Sequence, residues 1–340
     1  MKEALLYDRL EEGRVKCNVC RHRCTIPADR HGYCGGRYNR EGVLYSLLYG
    51  RVSSMHTNPI EMKPLFHFYP GSLCFSIGSY GCNFRCPGCQ NWEISRKSLD
   101  EAHGLSAEIS PEKSIELTFR TGCTGISWTF NEPTIWLEYT LEGARLAKQR
   151  GLYTVYVTNG YITPEALDLI SPYLDAFRVD IKGFSEDTYK KITSVNALSG
   201  VLDSAIRAKR QFGMHVECVT NLTPGVNDSE EELRSLAGWI KEELGVDTPW
   251  HITRFIPHLE LSDLPSTPIA ALEAVREMGF DAGLRYVYLG NVPGHRGENT
   301  YCYNCGTLLI VRNRFSVRKN ILREGRCPKC GIEIYGIFSS

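Results

Sequence analysis

The chain has 340 residues, 42% hydrophobic and 23% charged, proportions that suit a globular protein with one large α/β domain and small modules. Lysine plus arginine and aspartate plus glutamate each number 39, a balance that points away from nucleic acid or another polyanion as partner. No window approaches the roughly 20 apolar residues of a membrane span, and the charge-broken start MKEALLYDRLEEGRVKC has no signal core, so the sequence predicts a cytoplasmic protein without a membrane partner.

Fourteen cysteines are present. Disulfides are rare in a reducing cytosol, where retained cysteines bind metal or do redox chemistry. Eleven of them fall into three tight sets. The first is Cys17-x2-Cys20-x3-Cys24-x9-Cys34. Zinc and a second iron-sulfur cluster both accept four thiolates, and the spacing does not separate them. Zinc is the preferred expectation, with His22 and His31 able to replace a cysteine.

From residue 73 to 291, strand-like and helix-like patterns alternate. Strands are expected at 73–80, 124–130, 153–158, 176–181, 215–222, 250–255 and 285–291, several as near-continuous apolar runs. Helices are expected between them. Ser110-Pro111 and Thr163-Pro164 place a cap before proline, and Ser229 with Glu232 fits a capping box. This alternation predicts a parallel sheet in a full or partial (β/α) TIM-like barrel, with chemistry at the C-terminal strand ends.

The second cysteine set, Cys82-x3-Cys86-x2-Cys89, follows the first of these strands, with Gly81, Pro87 and Gly88 favouring a tight loop. Three thiolates can hold three irons of a 4Fe-4S cluster and leave the fourth open. A zinc loop completed by a distant ligand is the competing expectation. At later strand ends stand Asn131-Glu132-Pro133, Thr158-Asn159, the same-face pair Asp180 and Lys182, and His258. Glu132 could instead serve a helix N-terminus, Asp180 and Lys182 a surface ion pair, and His258 an exposed loop. Cys74, Cys123 and Cys218 stand alone and read as buried small residues.

The third set, Cys302-x2-Cys305-x21-Cys327-x2-Cys330, encloses the β-like, basic stretch LLIVRNRFSVRKN. This predicts a zinc-ribbon-like module with a closed tetrahedral site, mononuclear iron being the alternative. Expected boundaries are 1–57 for the N-terminal cysteine-rich module and linker, 58–296 for the barrel and 297–340 for the ribbon.

The motif CNFRCPGC after a first barrel strand resembles the radical S-adenosylmethionine (SAM) superfamily. Together with NPIEMKPLFHFYPGS, GCNFRCPGCQNWEIS and GNVPGHRGENTYCYNCG, it resembles over nearly the whole chain the AmmeMemoRadiSam-system radical SAM enzymes, which are pyruvate formate-lyase-activating-enzyme-like. The resemblance implies a 4Fe-4S cluster on Cys82, Cys86 and Cys89 whose open iron binds SAM. One electron then splits SAM into methionine and a 5′-deoxyadenosyl radical, which abstracts hydrogen from an unknown substrate. It implies SAM contacts by Glu132, Asp180, Lys182 and His258, with Phe84 as the motif aromatic and Asn131, Thr158 and Asn159 lining the cofactor site. Where the superfamily often has Gly-Gly-Glu-Pro, this chain has Phe130-Asn131-Glu132-Pro133. The implied partners are a ferredoxin or flavodoxin electron donor, Memo-type and AMMECR-type proteins, and a protein or small-molecule substrate. Alternatives are an activase that installs a glycyl radical on a partner protein, and a non-catalytic electron-transfer or scaffold protein.

Overall fold

All seven expected strands form and pair in chain order. The computed structural model describes residues 1–96 and 107–338. Its main sheet has eight strands: β1 (Ser54–Pro59), β2 (Leu73–Gly78), β3 (Gly125–Trp128), β4 (Tyr153–Thr158), β5 (Ala176–Asp180), β6 (His215–Leu222), β7 (Trp250–Arg254) and β8 (Val287–Gly290). Strands β2 to β8 run parallel, and β1 lies antiparallel on β2. The ladder runs from β1 to β8 without joining those edges, so the barrel is partial rather than full. Strand β1 was not legible: SMHTNP is a polar, half-exposed edge strand without an apolar run. It also crosses the expected 57/58 boundary.

Helices α1 (Pro111–Arg120), α2 (Leu137–Gln149), α3 (Pro164–Ile170), α4 (Glu186–Thr193), α5 (Leu198–Ile206), α6 (Glu230–Trp239) and α7 (Ile269–Asp281) connect the strands. Ser110 and Thr163 cap α1 and α3 as expected, each accepting a backbone N–H. The capping box at α6 is only half made. Ser229 accepts from the Glu232 amide, but the Glu232 carboxylate turns to the Ser185 and Thr188 hydroxyls at 2.7 and 2.8 Å. Two hydroxyls and the Phe184 amide outcompete a single N–H for it.

Apolar residues of the segment after β1 fill the lower barrel. Ile60, Leu65 and Phe68 pack on Cys74, Tyr153, Val155, Val157 and Ala176. The fully buried Glu217 of β6 holds this segment by accepting from the Phe66 and His67 amides at 3.0 and 2.8 Å. The same carboxylate bonds His215 at 2.9 Å and His251 at 2.6 Å. Burial alone would raise its pKa, but the two histidine hydrogen bonds hold it well below the usual carboxylate range.

Both flanking modules lean on the barrel. The N-terminal module has two small three-stranded sheets. Its Val15, Val19, Ile26, Leu44 and Leu48 share one apolar core with the barrel helices. Buried Arg37 pairs with Glu138 of α2 at 2.7 Å. The C-terminal module is an antiparallel sheet of β9 (Thr300–Tyr301), β10 (Leu308–Asn313) and β11 (Ser316–Asn320). Its Arg312 is buried and donates to the Phe66 carbonyl and the Thr300 hydroxyl at 2.7 and 2.8 Å. Cys74, Cys123 and Cys218 are buried, as expected of structural cysteines. No helix among the described residues is long and apolar enough to cross a membrane.

Glu217→Ala orphans two backbone amides and two imidazoles, so it is expected to cost about 3–5 kcal/mol, the scale for breaking a buried charged network. Urea denaturation measures this, and an unchanged midpoint would contradict the role given to Glu217.

Candidate active site

The loops that follow the seven parallel strands meet at one end of the sheet. Around them lies a cavity of about 440 Å³ whose lining includes Cys82, Cys86, Cys89, Phe84, Asn131, Glu132, Thr158, Asn159, Asp180 and Lys182. These residues span about a hundred positions of chain, and only the sheet brings them together. His258 is not in that lining; it is half-buried and opens the short 3-10 turn Leu259–Leu261. Its neighbours Phe255 and Leu261 reach the cavity instead.

The Cys82–Cys89 loop is held from several sides. Gly81 has φ 73°, and a Cβ there would lie 2.5 Å from the Cys34 carbonyl oxygen, so only glycine fits this approach. Asn131 ties the loop to β3: its Oδ1 accepts from the Ser79 amide at 3.0 Å, and its Nδ2 donates to the Tyr80 and Gly81 carbonyls at 3.1 Å. That assigns Asn131 a loop-fastening job through its side chain. Phe130, where the superfamily often has glycine, takes φ 73°, so the backbone keeps a glycine-like path.

Glu132 is buried, and its Oε1 accepts from the Thr134 amide at 3.0 Å and the Thr158 hydroxyl at 2.7 Å. Oε2 accepts from the Asn159 amide at 2.8 Å. A carboxylate offers about four acceptor sites, so one remains, on Oε2. Glu132 thus caps the turn at Pro133–Trp136 and also faces the cavity. Asn159 in turn donates to Asn83 at 2.7 Å and to the Cys82 sulfur at 3.8 Å.

Asp180 and Lys182 pair at 3.1 Å in the cavity wall rather than on the outer surface. Arg178, two residues earlier on the same face, pairs with the other Asp180 oxygen. Burial opposes ionisation of Asp180, but Arg178 and Lys182 override it and keep the carboxyl below its usual range. Extending the period-two argument back one step would have found Arg178. Lys63 gave no such signal, because it reaches the cavity on the segment that crosses the barrel. Burial, with Arg178 adding like charge, lowers its ammonium to about 8. Lys63 donates to Asn58 at 3.1 Å and makes no ion pair among the described residues.

The three cysteine sets differ in spacing. Cys302, Cys305, Cys327 and Cys330 bring all four sulfurs within 4.8 Å of one another, with the pairs 302–330 and 305–327 at 3.6 and 3.7 Å. One ion about 2.3 Å from each sulfur sets them about 3.8 Å apart, so this set fits a single tetrahedral metal. Among the described residues no other group of metal-ligating side chains is so tight. Cys82, Cys86 and Cys89 therefore stand wider than one ion bridges, which suits a multi-iron cluster better than zinc. Burial pushes the Cys86 thiol up to about 11 and raises Cys82 well above its ordinary value. Thiolates in such surroundings need a bound cation to stay ionised.

The family model of the radical SAM superfamily matches residues 76–240. The chain is 43% identical, over 98% of its length, to the uncharacterized protein MJ0808 of Methanocaldococcus jannaschii, covering 99% of that protein. It is 26% identical to the pyruvate formate-lyase-activating enzyme of Clostridium pasteurianum, over 50% of this chain and 72% of that enzyme. Streptococcus suis SuiB bound to S-adenosylmethionine shares the fold at a TM-score of 0.51 and 11% identity, over 72% of this chain and 56% of that one.

Lys63 gives a test of the cavity's electrostatics. Between about 8 and the ordinary value of 10.5, the unfolded chain binds a proton that the folded chain releases, so stability rises with pH across that window. Lys63→Met is expected to raise the thermal midpoint at pH 7 and remove that rise. A lower midpoint at pH 7 would sink the assignment.

Proposed function

The chain belongs to the radical SAM superfamily, and from that premise we propose how its own residues serve the chemistry. A bound 4Fe-4S cluster supplies the electron that splits SAM into methionine and a 5′-deoxyadenosyl radical, which takes hydrogen from a substrate. Members of this superfamily are enzymes, so the non-catalytic scaffold reading is set aside.

Cys82, Cys86 and Cys89 would hold the cluster through three thiolates, one fewer than a fully ligated cluster takes, which would leave a position facing the cavity for SAM. The observation that carries this reading is a wide three-thiol loop opening on a cavity walled by an ion pair. Asp180 and Lys182 present opposite charges to the zwitterionic end of SAM. The acceptor site left on Glu132 suits the SAM ammonium group. Thr158 and Asn159 orient Glu132, and Phe84 packs beside the cluster. His258 is not among the residues lining this cavity.

We place the chain with the AmmeMemoRadiSam-system enzymes on its quoted motifs, with Memo-type and AMMECR-type proteins as partners and a ferredoxin or flavodoxin as electron donor. Zinc suits the C-terminal set, where four close thiolates close the shell and serve stability. A second reading, a glycyl-radical activase, is favoured by the relative named pyruvate formate-lyase-activating enzyme.

Anaerobic reconstitution, reduction and SAM addition are expected to yield 5′-deoxyadenosine, and Cys86→Ala to abolish it. Lys182→Met is expected to weaken SAM binding about 10- to 100-fold, the loss of one charged hydrogen bond. Equal SAM affinity in that variant would remove Lys182 from the site. For the activase reading, mixing with candidate partners should produce a glycyl doublet in electron paramagnetic resonance; its absence with all of them removes that reading alone.

A further inference from the structure

We infer that Cys17, Cys20, Cys24 and Cys34 hold a second 4Fe-4S cluster, set against the loop that carries the first. This reverses the sequence-based preference for zinc in the N-terminal module.

The four sulfurs form one group. The strand ending at Cys17 folds back so that the Cys17 amide donates to the Cys24 carbonyl at 2.9 Å. Each of the four thiols is a near electrostatic neighbour of the other three. Cys17, Cys20 and Cys34 are buried, and Cys24 is half-buried. Nevertheless no three of these sulfurs come within 4.8 Å of one another, whereas the C-terminal four all do. A single zinc would draw them to about 3.8 Å. A cubane spreads its four ligands over four irons and requires the wider frame. The molecule therefore contains two tetrads of cysteine with different spacing, and neither the N-terminal set nor the Cys82 loop is as tight as the C-terminal set.

The surroundings fit a buried anionic cofactor. Arg37 is buried, and both its Nη atoms are bonded, to Glu138 and to the Ile135 carbonyl. Its Nε has no partner. Positive charge on Arg37 acts on Cys17 and Cys34, so this orphaned donor stands beside the tetrad and would be satisfied by a thiolate or sulfide. Neither nearby histidine enters the group. His22 bonds the Asn83 carbonyl at 2.7 Å, and His31 is exposed against Tyr38.

The module also touches the catalytic loop at three points. The Cys34 carbonyl abuts Gly81, His22 bonds Asn83, and the Tyr33 carbonyl accepts from Arg85 at 2.7 Å. Each contact falls within three residues of Cys82.

The test uses the full chain, reconstituted anaerobically with iron and sulfide, with metal and sulfide analysis and Mössbauer spectra. The wild type should bind about eight irons, and the triple variant Cys82→Ala, Cys86→Ala, Cys89→Ala should keep about four in a 4Fe-4S spectrum. Cys20→Ser with Cys34→Ser should halve the wild-type iron. About four irons in the wild type, none in the triple variant and two zincs per chain would overturn the inference. The triple variant cannot cleave SAM under any reading, so its iron content tests the N-terminal set independently of the proposed activity.

Discussion

Parallel strands joined by helical returns must all end at the same rim, and that constraint makes this site. Each helix carries the chain back along the sheet, so every following strand starts and stops level with the one before. Cys82, Glu132, Thr158 and Asp180 lie far apart in sequence, but each sits at or just past a strand end of the same sheet. A register slip of one residue in β5 would turn Arg178 and Asp180 out of the cavity together. The ladder between β4, β5 and β6 is therefore part of the active site even though its backbone touches no ligand.

Polar groups at the rim hold one another before they hold any cofactor. Glu132 joins the ends of β3 and β4 by accepting from Thr134, Thr158 and Asn159. Asn131 joins β3 to the cysteine loop. Arg178 and Lys182 bracket Asp180. Such pre-set donors and acceptors lose little on binding a zwitterion, because they are already ordered and desolvated. The cysteines are the exception. Burial works against their ionised forms, and a bound cation would offset that.

Both chain ends depend on the barrel. The N-terminal module is fastened through Arg37 and Glu138 and through a shared apolar core. The C-terminal module is fastened through Arg312 to the inserted segment, which Glu217 holds from inside. The C-terminal hairpin places Phe315, and the inserted segment Met62 to Pro64, in the cavity lining. All three sections of the chain thus bear on one site or on the loop beside it.

The sequence by itself determined the strand order, the caps at Ser110 and Thr163, the three cysteine sets and the same-face pair Asp180 and Lys182. These are local: they depend on periodicities of two and 3.6, on cap chemistry and on spacing within a few residues. Only the tertiary structure decided the rest. The polar edge strand β1, the arrival of Lys63, the diversion of Glu232 from its own helix and the placing of His258 outside the cavity lining all depend on how segments distant in sequence pack together. The spacing of each cysteine tetrad was undecided for the same reason. Short intervals between cysteines set which sulfurs can meet, whereas the packing of the strands and loops that carry them sets how far apart those sulfurs come to rest.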